Sequence, residues 1–160
     1  MKITTFILFL LLSTTCMSQE HDTNKTLIPL GGNAWTINGG EITKGGLEDW
    51  DNAQTSCKTY FKITQTGKLK LSLLLNAHSS KSKISVTILN KSILLEIDGN
   101  TEKEYFVGEW DILKTGYLSV NIKGISKISS NFGSISNLVV SGSAVTPDMA
   151  YTKNDEGNFY

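Results

Sequence analysis

Apolar and polar positions alternate with a period of two through most of residues 57–141. Leu69, Leu71, Leu73 and Leu75 alternate with Lys68, Lys70, Ser72 and Leu74, and Ile84, Val86 and Ile88 alternate with Lys83, Ser85 and Thr87. Ile93, Leu95 and Ile97 form a third set; Leu118, Val120 and Ile122 form a fourth. Successive side chains of a strand point to opposite faces, so each set lines one buried face of a sheet. No stretch after the N-terminal apolar run keeps a helical period. The pattern predicts strands near 27–30, 33–37, 57–64, 68–75, 83–89, 92–97, 103–112, 117–123 and 134–141. Turn chemistry separates them: a polar loop over 76–81, a tight turn at Asn90-Lys91, then Asp98-Gly99-Asn100, Lys114-Thr115-Gly116 and Lys123-Gly124. Many short strands at this spacing predict an all-β sandwich or barrel.

Residues 31–56 break the alternation. Three glycine pairs, Gly31-Gly32, Gly39-Gly40 and Gly45-Gly46, sit among Trp35, Trp50 and the run Glu48-Asp49-Trp50-Asp51-Asn52. This segment reads as long loops, which gather at the ends of a sandwich and carry function. No Lys-Ser/Thr pair and no helix follow the glycines, so they make no phosphate cradle.

Composition narrows the classes. The chain has 160 residues, 15 cations (all lysine) and 15 acids, for a net charge of zero. That is one domain in size. Without arginine or a net positive charge there is no nucleic-acid footprint. The balance predicts a surface with no steering field and a neutral polyol as partner. Residues 1–18 have the layout of a secretory signal peptide: Met1-Lys2, an apolar run over 3–12, then small and polar residues. The run is too short to span a membrane. A second reading anchors the chain as a lipoprotein through Cys16. The expected organisation is a signal peptide over 1–18, a mature arm over 19–26, a sandwich module over 27–142 and a linker-like tail over 143–160. Cys57, on a strand with no histidine nearby, reads as a buried structural thiol.

Catalytic chemistry has thin support. His78 sits in a polar turn and reads as a surface histidine; Glu109 and Asp111 flank Trp110 but read as solvated charges. Binding is easier to supply. A sugar presents an apolar face to an aromatic ring and a hydroxyl rim to carboxylates and amides. Trp50 with Asp51 and Asn52, and Trp35 with Asn33 and Asn38, offer those groups, giving Trp35, Trp50, Asp51 and Asn52 as candidate ligand contacts. The alternative for each tryptophan is a plug buried by its own loop. Trp110 shares parity with Phe106, Gly108 and Ile112 and reads as core; Tyr60, Phe61 and Tyr117 read as packed or half-packed. Glu41, Asp49 and Asp51, with Asn52, are weak candidates for a calcium ion, which would be structural; no EF-hand spacing is present.

The order of features resembles galactose-binding-like jelly-roll carbohydrate-binding modules. Tyr60 through Leu73 is similar to their strand–glycine–strand segment, Lys83 through Gly99 to the next hairpin, and Trp110-Asp111-Ile112 with the strand after Gly116 to a later pair. The stretch from Ile28 through Gly142 also resembles an uncharacterised domain-of-unknown-function family of secreted bacterial proteins. The resemblance implies a jelly-roll β-sandwich of two antiparallel sheets. It also implies a second, larger domain after the module, with 156–160 similar to the junction. Pro29 and Leu30 stand where calcium-holding modules carry an acidic residue, a departure that leaves the resemblance without support for a metal site. Three functions follow from these readings: a secreted, non-catalytic module that binds glycan or polysaccharide, a structural accessory domain packed on a partner domain, and a small hydrolase.

Overall fold

The alternating segments form the strands. The structure, a computed structural model, describes residues 25–79 and 81–152. The leader, Cys16, most of the 19–26 arm and the end of the tail lie outside the described residues. In chain order the strands are β1 (Thr26–Pro29), β2 (Ala34–Ile37), β3 (Glu41–Thr43), β4 (Gly46–Glu48), β5 (Ser56–Ile63), β6 (Gly67–Asn76), β7 (Ser82–Ile88), β8 (Lys91–Ile97), β9 (Glu102–Ile112), β10 (Gly116–Lys127) and β11 (Ser134–Ser141). One sheet has the order β3-β4-β11-β6-β9, with β1 also paired to β11; the other has the order β2-β5-β10-β7-β8. Neighbours within both sheets are antiparallel. This is the two-sheet jelly roll that the resemblance implies, within the sandwich-or-barrel class that the alternation predicts.

The core lies between the sheets. Leu69, Leu71, Leu73 and Leu75 of β6 face inward from the first sheet, and Phe61, Ile63, Val86 and Val120 from the second. Each such side chain contributes about 1.5–3 kcal/mol by leaving water. Cys57 is buried and free, as expected, and burial pushes its thiol up to about 12.

Four local expectations are corrected. The glycine-rich segment is not all loop, because β3 and β4 form a short hairpin beside β11. Gly46 makes this approach: at φ +118° a Cβ would fall 2.1 Å from the Ile135 carbonyl oxygen. The tight turn falls on Leu89 and Asn90, both at positive φ as a two-residue hairpin requires, one residue earlier than predicted. Phe106 does not share a face with Trp110. A bulge places Val107 between the Ser72↔Phe106 and Leu71↔Gly108 pairs, so Val107 turns inward and Phe106 outward. Finally, the described part of the tail is docked. Ala144, Val145 and Met149 are buried, and Lys62 and Ala150 exchange backbone hydrogen bonds. Asn33 clamps the end of this segment, because its Oδ1 accepts from Thr152 N at 2.7 Å.

Candidate functional site

The four predicted binding residues fall in different places. Trp35 is on edge strand β2, opposite Lys58 of β5. It remains 48% exposed although Tyr60 covers part of it. The two rings are parallel to within 10°, with centroids 4.8 Å apart. Such a pair contributes about 0.5–1.5 kcal/mol beyond the area it buries and fixes the tryptophan before any ligand arrives.

The surroundings of this pair follow from register. Along β5 the inward residues are Cys57, Thr59, Phe61 and Ile63; Ser56, Lys58, Tyr60 and Lys62 point out. On β10, Tyr117 is opposite Lys62, Ser119 opposite Tyr60, and Asn121 opposite Lys58. Trp35, Tyr60 and Tyr117 therefore step diagonally across three adjacent strands. Along the backbone each step is about 8 Å, from two residues of rise and one strand spacing. Tyr117, expected to be at least half-packed, is 74% exposed, because its strand turns Leu118 and Val120 inward instead. Beside the diagonal is a depression of about 410 Å³ whose lining includes Lys58, Thr87, Tyr117, Ser119 and Asn121. Ser56 Oγ donates to Asn121 Oδ1 at 2.6 Å and so orients the amide. Aromatic rings beside a floor of hydroxyl, amide and ammonium groups suit a polyhydroxylated ligand.

Trp50 is not a platform, and this corrects its candidacy. It is wholly buried and packs against Phe132 at 5.0 Å, while its carbonyl accepts from Phe132 N at 2.8 Å. The loop folds back and plugs the end of the sandwich. Above it opens a cleft of about 670 Å³ lined by Glu48, Asp49, Asp51, His78, Asn131 and Ser134 among others. Asp51 is exposed there. Asn52 is committed to structure: its Oδ1 accepts from Gln54 N at 2.9 Å and its Nδ2 donates to the Asn38 carbonyl at 3.1 Å. Asn33 is buried and likewise engaged, donating to the Pro29 carbonyl at 2.8 Å. Trp110 is buried, as expected.

Of the calcium candidates, Asp49 and Asp51 line the cleft above Trp50. Glu41 faces Glu48 across β3 and β4, and among the described residues no three His, Cys, Asp or Glu side chains are placed to hold a metal ion. His78 Nε2 lies 2.9 Å from Ser134 Oγ, a pair hidden from sequence reading by 56 residues of separation. A nucleophile–base pair also needs a carboxylate on the other imidazole nitrogen. Among the described residues no bond of that kind to His78 is seen. Glu109 and Asp111 are both held by Lys68, at 3.2 and 3.1 Å. Asp111, and then Glu109, raises the lysine's pKa by hydrogen bonding. Among the described residues, no helix is long and apolar enough to cross a membrane.

Two antiparallel sheets packed in this order make a jelly roll, and solved carbohydrate-binding modules share the fold. A family 35 module from Cellvibrio japonicus Abf62 superposes with a TM-score of 0.56 at 13% identity, covering 84% of this chain and 98% of that one. A family 35 module from Clostridium thermocellum gives 0.53 at 12% identity, covering 72% and 96%. A GH26-CBM35 β-(1,4)-mannanase from Podospora anserina gives 0.57 at 14% identity over 78% of this chain, which spans 29% of the mannanase. At these identities the likeness is one of fold. No curated protein matches the chain. Residues 28–145 match the profile of DUF5077, a domain of unknown function, and the chain belongs to that family.

Proposed function

We propose that this protein is a secreted, non-catalytic carbohydrate-binding module whose glycan lies on the outer face of the β2-β5-β10-β7-β8 sheet. The observation that carries this reading is Trp35, half exposed and held in place by its stack on Tyr60. An exposed tryptophan fixed in this way offers a sugar an apolar face at little entropic cost. The Asn121 amide and the Thr87 and Ser119 hydroxyls beside it supply hydrogen-bonding groups for the sugar rim. Secretion is supported by the leader pattern of residues 1–18. The non-catalytic reading is supported by the lysine-held Glu109 and Asp111 and by the incomplete His78–Ser134 pair.

Affinity electrophoresis through a panel of soluble polysaccharides tests the proposal. Retardation by at least one glycan, abolished by Trp35→Ala and retained by Asp51→Ala, is expected. Equal mobility of both variants and the parent in every gel, with unchanged circular dichroism, sinks it.

A further inference from the structure

The balanced net charge conceals a segregated surface. On the far side of the sandwich, Glu104 pairs with Lys25, and Glu109 and Asp111 pair with Lys68. Three further acids, Glu48, Asp49 and Asp51, line the loop-end cleft. The outer face of the β2-β5-β10-β7-β8 sheet is different. It carries Lys58, Lys62, Lys83 and Lys123, and along its strands the acid that faces out is Glu96 of β8, held by Lys83 at 3.0 Å. Lys58, Lys62 and Lys123 form no ion pair among the described residues. They are thus three uncompensated cations on the surface that also bears Trp35, Tyr60 and Tyr117.

Their positions have a direction. Lys62 is opposite Tyr117 and Lys123 is opposite Ser56, six residues further along β10. Lys58 lies between these levels, opposite Asn121. Six residues of strand are about 20 Å, so the ammonium groups line a track parallel to β5 and β10 with the tyrosines within it. A neutral polyol would leave these charges without a counterpart. We propose that the glycan bound here is a uronate polymer, its ring faces against Trp35 and Tyr60 and its carboxylates against Lys58, Lys62 and Lys123. The inference rests on the reading of this face as the glycan surface and corrects the neutral partner expected from net charge alone.

Exposed ion pairs contribute modestly, so the three together change affinity by about tenfold. Such attraction weakens as salt shortens the screening length. The test uses the full chain with polygalacturonate and alginate, with methyl-esterified polygalacturonate as the same backbone without charge, neutral polysaccharides, and poly-glutamate as a polyanion without sugar rings. Expected results are tighter binding to a uronate polymer than to the ester, about tenfold weaker binding in Lys58→Gln/Lys62→Gln/Lys123→Gln, and loss in Trp35→Ala. Binding to the ester or to neutral glycans alone, undiminished in the triple variant, overturns the uronate inference and leaves the carbohydrate reading standing. Binding to poly-glutamate as tight as to the uronate overturns it too, as plain polyanion adsorption. No binding to any glycan fells both proposals.

Discussion

Replacing Trp50 separates a plug from a ligand platform. Its ring is wholly buried against Phe132, and Phe132 N donates to its carbonyl. Trp50→Ala removes the largest side chain in that end of the core and leaves a cavity that Phe132 can fill only by leaving its seat. Phe132 is itself confined, since Gly124 lies so close that a Cβ there would come within 2.4 Å of its ring. A loss of about 3–5 kcal/mol follows. Trp50→Phe is the informative partner. The indole Nε1 is buried with no hydrogen-bond partner among the described residues, and such a group costs about 1–3 kcal/mol. Phenylalanine removes that orphan donor and keeps most of the ring, so the net change stays below about 1.5 kcal/mol. Urea unfolding followed by circular dichroism measures both, provided the slope is unchanged between variants. The Ala variant is expected to shift the midpoint strongly and the Phe variant weakly, with glycan affinity unaltered wherever the protein is folded. An Ala variant with the parent's midpoint but no glycan binding would refute the plug.

Three further outcomes follow from the geometry. Gly46→Ala forces a Cβ onto the Ile135 carbonyl at a left-handed φ and should cost about 2–4 kcal/mol in the same unfolding assay. Truncation after Gly142 removes buried Ala144, Val145 and Met149 with their backbone bonds, for an expected loss of about 3–5 kcal/mol, whereas a true linker would be lost without effect. Alkaline pH should weaken the fold through Cys57. The unfolded thiol ionises near its ordinary value and the buried one only at about 12, so this contribution is intact below the unfolded pKa and is lost as pH rises toward the folded one. The stability–pH curve of Cys57→Val should be flatter over that window, and curves that superpose would contradict the assignment.

The strands other than β3 and β4 were legible because each buries one face, which imposes the period of two. Tyr60 and Tyr117 were legible by the same rule, since parity sets them with Lys58, Lys62, Ser119 and Asn121 rather than with the core. Tyr60 is half-buried, as read; reading Tyr117 that way followed residue type where position was decisive. Other features were out of reach. A single inserted residue at Val107 inverts Phe106, and nothing local marks it. Whether Trp35 or Trp50 is exposed depends on Phe132 closing over the latter from a distant loop. The lysine track exists only once β5 and β10 are paired in register, and a whole-chain charge of zero says nothing of how charge is distributed.

Indole N–H resonances followed by NMR during glycan titration test the central claim most directly. Trp35 should shift saturably with added ligand while Trp50 and Trp110, both buried, stay in place. A shift confined to Trp50, or saturable binding that leaves Trp35 unmoved, would contradict the account.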